Sequence, residues 1–152
     1  MSKPKIIFIE LAVARKTRYI CDIAEKAYNS GLTVHIYCHN SSEAARIDQE
    51  LWTWKQDAFV PHNQVANLDS NDCEPVLIGT DVDFPEKAEV LILFDPADKS
   101  CFKNYKYVVD FAETYAPDKL KDSRIRYKEI RDLPEFDLSF TKLGSFLGSA
   151  LS

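Results

Sequence analysis

The stretch Glu89–Phe94 (EVLILF) carries apolar side chains at every position from 90 to 94. A strand that is apolar on both faces is typical of a parallel sheet whose two sides are covered by helices. Lys5–Glu10 (KIIFIE) has a similar composition near the start of the chain and predicts a second buried strand. Together these two segments predict a sheet that is covered on both sides.

Segments with helical spacing alternate with the apolar runs. Thr17–Ser30 repeats apolar residues at helical spacing, and Asn40, followed three residues later by Glu43, predicts the start of a helix that ends near Trp54. A third helix is predicted over Pro117–Arg131, with proline as its first residue. Further strands are predicted at Leu32–Cys38, Val76–Ile78 and Tyr107–Phe111, and a short helix near Asp98–Asn104. This alternation predicts an α/β fold, a single three-layer domain with a mainly parallel sheet flanked by helices.

The composition is that of one ordinary globular domain. The chain has 152 residues, with 19 Lys and Arg, 24 Asp and Glu, and a formal charge of −5. An acidic total argues against broad, nonspecific DNA binding as the main role. Because no repeat or linker divides the chain, we expect one domain over residues 1–140 and assign no role to the tail at 141–152. The apolar stretch near the N-terminus is far shorter than the roughly 20 residues of a membrane helix and lacks a signal-peptide cleavage pattern, so no membrane partner is expected.

Four cysteines, Cys21, Cys38, Cys73 and Cys101, are far apart in the sequence. They form no CxxC pair and no cluster with histidine, a pattern that supports neither a zinc site nor a disulfide scaffold. Reduced thiols indicate a cytoplasmic protein.

The turn after the first strand, Glu10–Arg15 (ELAVAR), contains no glycine. Nucleotide-binding folds use glycine there because only glycine lets the backbone approach a phosphate closely. We therefore expect a Rossmann-like fold without a nucleotide-binding Gly-rich loop, and no cofactor or metal. His35 is expected to be a strand side chain rather than a ligand. An α/β enzyme with its site near His62 or Asp110 remains an alternative.

The helix predicted over Pro117–Arg131 is basic, with six Lys or Arg against three Asp or Glu. At about 100° per residue, Lys121, Arg124 and Lys128 fall on one stripe beside an apolar seam that includes Tyr127. This arrangement suits a ligand that is both acidic and hydrophobic, such as a peptide end, whose carboxylate an arginine can bind with two donors. Two alternatives remain, a solvated face of a surface helix and a direct single-stranded nucleic-acid binder.

A second candidate surface contains two large aromatic residues. Trp52 lies off the apolar face of the helix that is predicted to end near Trp54, and Phe59 follows in a segment closed by Pro61. Aromatic side chains that point away from the core are typical of interface anchors. The alternative is that Trp52 lies over the loop Lys55–Asn63.

Four motifs carry a family resemblance: Leu51-Trp52, Phe59–Asn63 (FVPHN), Val108–Phe111 (VVDF) and Arg126–Lys128 (RYK). In this order and spacing they resemble the chi subunit of bacterial DNA polymerase III holoenzyme. The resemblance implies a non-catalytic accessory subunit in DNA replication and repair. It also implies two partners: the psi subunit of the clamp loader, and the acidic C-terminal tail of single-stranded-DNA-binding protein (SSB), through which single-stranded DNA is reached indirectly.

The same resemblance implies which residues contact these partners. The residues that correspond to the family's SSB-tail site are Arg124, Lys121, Tyr127, Lys128 and Ala112. The residues that correspond to its psi-facing aromatics are Trp52 and Phe59. These are the basic helix and the aromatic surface that the residue patterns also single out, with Ala112 added.

Overall fold

A computed structural model describes residues 3–57, 59–68 and 74–149 of the chain. Strands and helices alternate along most of these residues, as the apolar runs and helical spacings predict, except that the fourth strand is followed directly by the fifth. The strands are β1 (Lys5–Leu11), β2 (Val34–Tyr37), β3 (His62–Gln64), β4 (Val76–Gly79), β5 (Val90–Leu93), β6 (Tyr107–Glu113) and β7 (Asp137–Lys142). The α-helices are α1 (Lys16–Asn29), α2 (Ser41–Thr53), α3 (Pro117–Arg131) and α4 (Leu143–Gly148), with short 3-10 helices at Val65–Asn67 and Lys99–Asn104.

All seven strands belong to one sheet in the order β3-β4-β2-β5-β6-β1-β7. Every pairing in it is parallel. β1 lies between β6 and β7, and Phe8 of β1 is opposite Asp110 on one side and Phe140 on the other. The predicted α/β fold with a mainly parallel sheet is therefore confirmed.

Both faces of the sheet are buried, and β1 contributes apolar side chains to the core on each face. Ile7 and Ile9 point to a core that includes residues of α1, α2 and α4. Ile6 and Phe8 point to the opposite core, where Ile130 of α3 packs. Side chains of successive strand residues point to opposite faces, so one apolar strand can serve both cores. This two-sided burial produces the three layers.

The predicted starts of α2 and α3 are confirmed. The Asn40 side chain caps α2, since its Oδ1 accepts a hydrogen bond from the Glu43 backbone N–H at 2.9 Å. Pro117 is the first residue of α3, where its missing N–H costs nothing. The predicted strands overlap the observed ones, and the segment near Asp98–Asn104 forms a 3-10 helix.

Two edge strands and the last helix have no counterpart in the predicted elements. β3 has three residues, and most residues of β7 are exposed, so neither shows the apolar run of a buried strand. The expected domain boundary at residue 140 falls inside β7. Beyond it, Phe146 of α4 is buried in the core on the α1 side of the sheet. Residues 141–148 thus pack on the domain in the structure.

The described cysteines are free thiols. Cys21 and Cys38 are buried and Cys101 is partly buried, whereas Cys73 lies outside the described residues. Burial raises the pKa of the Cys38 thiol to about 11, so this thiol is protonated at neutral pH.

No helix within residues 3–57, 59–68 and 74–149 combines the length and the apolar character needed to cross a membrane.

Candidate functional site

A groove of about 280 Å³ lies between α3 and the ends of three neighbouring strands, β6, β1 and β7. It contains three of the five residues predicted to bind an acidic peptide tail, namely Ala112, Arg124 and Tyr127. The complete lining is Phe8, Glu10, Ala112, Thr114, Leu120, Ser123, Arg124, Tyr127 and Phe140. We call this feature the groove.

The spacing of residues along α3 explains which of them reach the groove. Leu120, Arg124 and Tyr127 are separated by four and three positions and therefore share one side of the helix. Tyr127 packs edge-on against Phe8 of β1, with ring centroids 5.3 Å apart. Ser123 is buried beneath them, and its hydroxyl donates to the Leu120 carbonyl at 2.7 Å, which satisfies the polar group while its small size lets α3 approach the sheet.

Lys121 and Lys128 are exposed on α3 and do not line the groove. They lie about one turn before and one turn after Arg124, so the three cations form the predicted stripe along the helix. All three cations are thus exposed, and of the three only Arg124 also lines the groove.

Arg126 points from α3 toward the sheet and fixes the rotation of the helix. Its Nε donates to Asp110 Oδ2 at 2.8 Å and its Nη2 donates to Asp110 Oδ1 at 3.0 Å. The Asp110 carboxylate is buried and also accepts the Phe111 backbone N–H at 2.7 Å. With Arg126 facing inward, the residues at positions 124 and 127 are turned to the groove.

Phe140, which is absent from the predicted site residues, forms the outer wall of the groove. Phe140 lies on the edge strand β7, directly opposite Phe8, and its side chain is 52% exposed. Ala112 lies at the floor, where its methyl group leaves room that a larger side chain would fill. The alternation of Leu138 and Phe140 in a polar segment was the signal that could have indicated this strand.

His62 and Asp110, either of which the sequence offered as an enzyme site, lie far apart in the sheet. β3 and β6 are separated by three strands, or about 19 Å at the usual spacing. The His62 ring is buried, with Nδ1 2.6 Å from the Val60 carbonyl oxygen and Nε2 3.0 Å from the Asp48 carbonyl oxygen. Both groups are therefore occupied by structural contacts.

His35 is a side chain of β2, as predicted. It is buried, stacks on Phe84 at 3.9 Å, and shares a 2.7 Å hydrogen bond with the Tyr105 hydroxyl. Burial lowers the pKa of His35 to about 4. Among the residues that the structure describes, no group of three or more His, Cys, Asp or Glu side chains is placed to hold a metal ion.

Trp52 and Phe59 form an exposed aromatic surface, with 52% and 66% of the residue surface accessible. Their ring centroids are 6.1 Å apart, and the Trp52 ring also lies 4.4 Å from that of His62. Trp52 thus rests on the segment that follows α2 and still presents half of its surface to solvent. Trp54, on the core side of the helix, is buried and donates from Nε1 to Asp22 Oδ1 at 2.9 Å. We call Trp52 and Phe59 the aromatic surface.

Sequence comparisons with known proteins agree on one family. A family model described as "DNA polymerase III chi subunit, HolC" matches residues 3–134. The chain is 32% identical over 118 residues to DNA polymerase III subunit chi of Escherichia coli K12, which covers 74% of this chain and 76% of that protein. It is 26% identical over 125 residues to the Haemophilus influenzae chi subunit, covering 82% of this chain and 85% of that protein. A shorter match, 35% over 60 residues, links it to the chi subunit of Pseudomonas aeruginosa and covers 39% of each protein.

Among solved structures, the C-terminal domain of the DEAD-box protein Dbp5 has a TM-score of 0.54 at 13% identity, covering 91% of this chain and 89% of that one. At this identity the likeness shows a shared fold only. The family resemblance carried by the LW, FVPHN, VVDF and RYK motifs is confirmed by the sequence comparisons. The chain belongs to the family of DNA polymerase III chi subunits.

Proposed function

We propose that this chain is a non-catalytic adaptor of the DNA polymerase III clamp loader. In this proposal the groove holds the acidic C-terminal tail of SSB, and the aromatic surface binds the psi subunit. The observation that carries it is the combination, in one groove of about 280 Å³, of the Arg124 guanidinium with the apolar side chains of Leu120, Tyr127 and Phe140; Glu10 is the acidic member of the lining. Membership of the chi family supports the same assignment.

The groove matches the chemistry of a peptide that ends in an aromatic residue. Its terminal carboxylate would accept two hydrogen bonds from the planar Arg124 guanidinium. Its aromatic side chain would lie between Tyr127 and the exposed Phe140, above the buried Phe8, where ring edges and faces give favourable aromatic contacts. Ala112 beneath them leaves the necessary space.

Lys121 and Lys128 supply the remaining charge complementarity. They flank Arg124 at the rim, where acidic residues close to the peptide end would pass. Rim charges of this kind accelerate association and are screened within about 10 Å at 0.1 M salt. Binding is therefore expected to weaken as the salt concentration rises.

The aromatic surface has the character of a protein-binding anchor. Exposed tryptophan next to a second exposed aromatic residue is typical of residues that dominate interface energies. Trp52 and Phe59 belong to α2 and the segment after it, whereas the groove is formed by α3 and the strands β6, β1 and β7. Two separate elements would thus allow psi and the SSB tail to bind at the same time.

Tethering is the work that such an adaptor performs. Each tail contact would be modest, but an SSB tetramer carries several tails close to each other. Repeated contacts raise the effective concentration of the binding partner without any new interface. The chain would in this way hold the polymerase assembly on SSB-coated single-stranded DNA without touching the DNA itself.

The test is titration of a labelled peptide that ends in Pro-Phe into the intact protein and into Arg124→Ala, at two salt concentrations. Loss of a charge-assisted hydrogen bond is expected to lower the affinity about ten- to a hundredfold. Lys103→Ala, which removes one exposed positive charge at the opposite end of the sheet, is the matched control and should bind normally. Equal binding by the intact protein and Arg124→Ala would refute the tail-binding role.

A further inference from the structure

A larger cleft, of about 970 Å³, opens at the carboxyl ends of the strands β1, β5 and β6. Its walls come from α1, α2 and the start of α3. Cationic side chains from all three helices and the turn before α1 line it, namely Arg15, Lys16, Arg18, Arg46 and Lys119, with Glu50 as the acidic member of the lining. We call it the basic cleft. Such a concentration of positive charge is a local exception in a chain of net charge −5.

Two arginines of the basic cleft are available for a ligand. Lys16 is held inside the protein, donating to the Phe94 carbonyl and lying 3.4 Å from Glu113 Oε2. Arg46 lies 3.2 Å from Glu43 on its own helix. Arg15 and Arg18, by contrast, are exposed and form no ion pair with any residue in the described parts of the chain.

The basic cleft and the groove are neighbours, because one short segment borders both. Thr114 and Leu120 line the groove, whereas Tyr115 and Lys119, within the same segment, line the basic cleft. A helix with its side chains is about 10–12 Å across, and an extended peptide covers about 3.3–3.6 Å per residue. Three or four extended residues are therefore enough to pass from one site over the start of α3 to the other.

This continuity favours an acidic peptide over a nucleic acid as the ligand of the basic cleft. A peptide whose end occupies the groove must lead its earlier residues away from Arg124, and the nearby basic cleft offers them positive charge. Carboxylates suit this site because arginine binds them with two parallel donors. A single-stranded nucleic acid has no corresponding connection to the groove.

We propose that the basic cleft is a second subsite for an acidic peptide, in which Arg15 and Arg18 bind carboxylates several residues before the peptide's C-terminal aromatic residue. The proposal rests on the proposed function of the groove, and it adds a length requirement. A peptide that only fills the groove gains nothing from the basic cleft, whereas one that extends about six residues or more gains from both sites.

The experiment compares two labelled peptides with the same Pro-Phe end. One has about four residues, and the other has about ten, with aspartates in its first half, long enough to span both sites. Each is titrated into the intact protein, the double variant Arg15→Ala/Arg18→Ala, and Arg124→Ala. The control is Lys87→Ala/Lys103→Ala, which also removes two positive charges, but at the opposite end of the sheet. A single-stranded oligothymidine is titrated in parallel, and thermal unfolding verifies that every variant is folded.

We expect the double variant to bind the long peptide about three- to tenfold more weakly, the range for two exposed ion pairs, and to bind the short peptide normally. Arg124→Ala should weaken both peptides, and the control should weaken neither. Unchanged binding of the long peptide by the double variant would overturn the second subsite even if Arg124→Ala is defective. Normal binding of both peptides by Arg124→Ala would instead refute the groove. Oligothymidine binding that is tighter than peptide binding and is lost in the double variant would assign the basic cleft to nucleic acid and overturn the proposal.

Discussion

Arg126 on α3 holds the buried carboxylate of Asp110 on β6 through two hydrogen bonds of 2.8 and 3.0 Å. Asp110 belongs to the VVDF motif and Arg126 to the RYK motif, so the pair joins the two segments that carry the family resemblance in the second half of the chain. The guanidinium fork favours the orientation of α3 in which both hydrogen bonds to the strand are made. This orientation turns Arg124 and Tyr127 into the groove.

Replacing Asp110 with alanine is therefore expected to lower the free energy of unfolding by about 3 kcal/mol. The variant leaves the Arg126 guanidinium, which is only 21% exposed, beside the core without its partner. Urea denaturation of the intact protein and the variant measures the difference. Arg126→Lys keeps the charge and loses the two-donor fork, so its free energy of unfolding should lie between those of the intact protein and Asp110→Ala. A loss below about 1 kcal/mol, the usual value of an exposed pair, would contradict a structural role.

The central part of the fold could be predicted from the sequence because its signals are local. The apolar run Glu89–Phe94 and the Pro117 start of α3 each lie within one element. The edge strand β7 has no apolar run, because most of its side chains are exposed and it pairs with the sheet on one side only. Its local signal is the weaker alternation of Leu138 and Phe140. Its partner β1 is more than a hundred residues away, and nothing in the segment Asp137–Lys142 specifies that pairing.

The residues of the groove also fall into those that the sequence could predict and those that it could not. Arg124 and Tyr127 could be predicted from helical spacing together with the family motifs, since both lie on one face of a helix that the sequence delimits. Ala112 came from the resemblance alone. Phe140 was missed because its place in the groove depends on the pairing of β7 beside β1. The local patterns of a single sequence do not reveal which strands are neighbours, and therefore not which residues the strand order brings together.

Phe140→Ala should lower the affinity for a Pro-Phe peptide about tenfold while leaving stability nearly unchanged. The ring is half exposed in the free protein, so folding gains little from it, whereas a bound aromatic residue would cover it. Peptide titration and urea denaturation together distinguish the two effects. The matched control is Ile125→Ala, which truncates another half-exposed apolar side chain, at 49%, on the helix that borders the groove. Equal affinities of both variants for the peptide would show that Phe140 is not part of the binding site.

The double variant Trp52→Ala/Phe59→Ala is expected to lose association with psi and to keep the SSB-tail affinity. Anchors of this type contribute about 2 kcal/mol each, or roughly thirtyfold in affinity. Co-purification with psi and titration of the tail peptide should be carried out on the same preparation. Val13→Ala, which removes a side chain of similar exposure in the turn after β1, is the control. If psi still binds the double variant tightly, the partner must use a different surface.

The lowered pKa of His35 predicts how the stability of the protein depends on pH. Burial lowers the pKa of His35 to about 4, opposed by a hydrogen bond with the Glu86 backbone, whereas the pKa of an unfolded histidine is about 6.5. Between these values the unfolded chain takes up a proton that the folded protein excludes, so acidification favours unfolding. The free energy of unfolding should therefore fall from pH 7 to pH 4.5, with a contribution of about 2 kcal/mol from His35.

His35→Gln isolates this contribution from that of the carboxylates, which titrate in both proteins. Glutamine retains an acceptor for the Tyr105 hydroxyl, now bonded to His35 at 2.7 Å, but has no group that titrates in this range. Urea denaturation at pH 7, 5.5 and 4.5 gives the difference in stability between the two proteins. This difference should shrink by about 2 kcal/mol across the series, since only the intact protein loses the contribution of a neutral, buried imidazole. A difference that stays constant with pH would mean that His35 accepts its proton equally well in the folded and unfolded states.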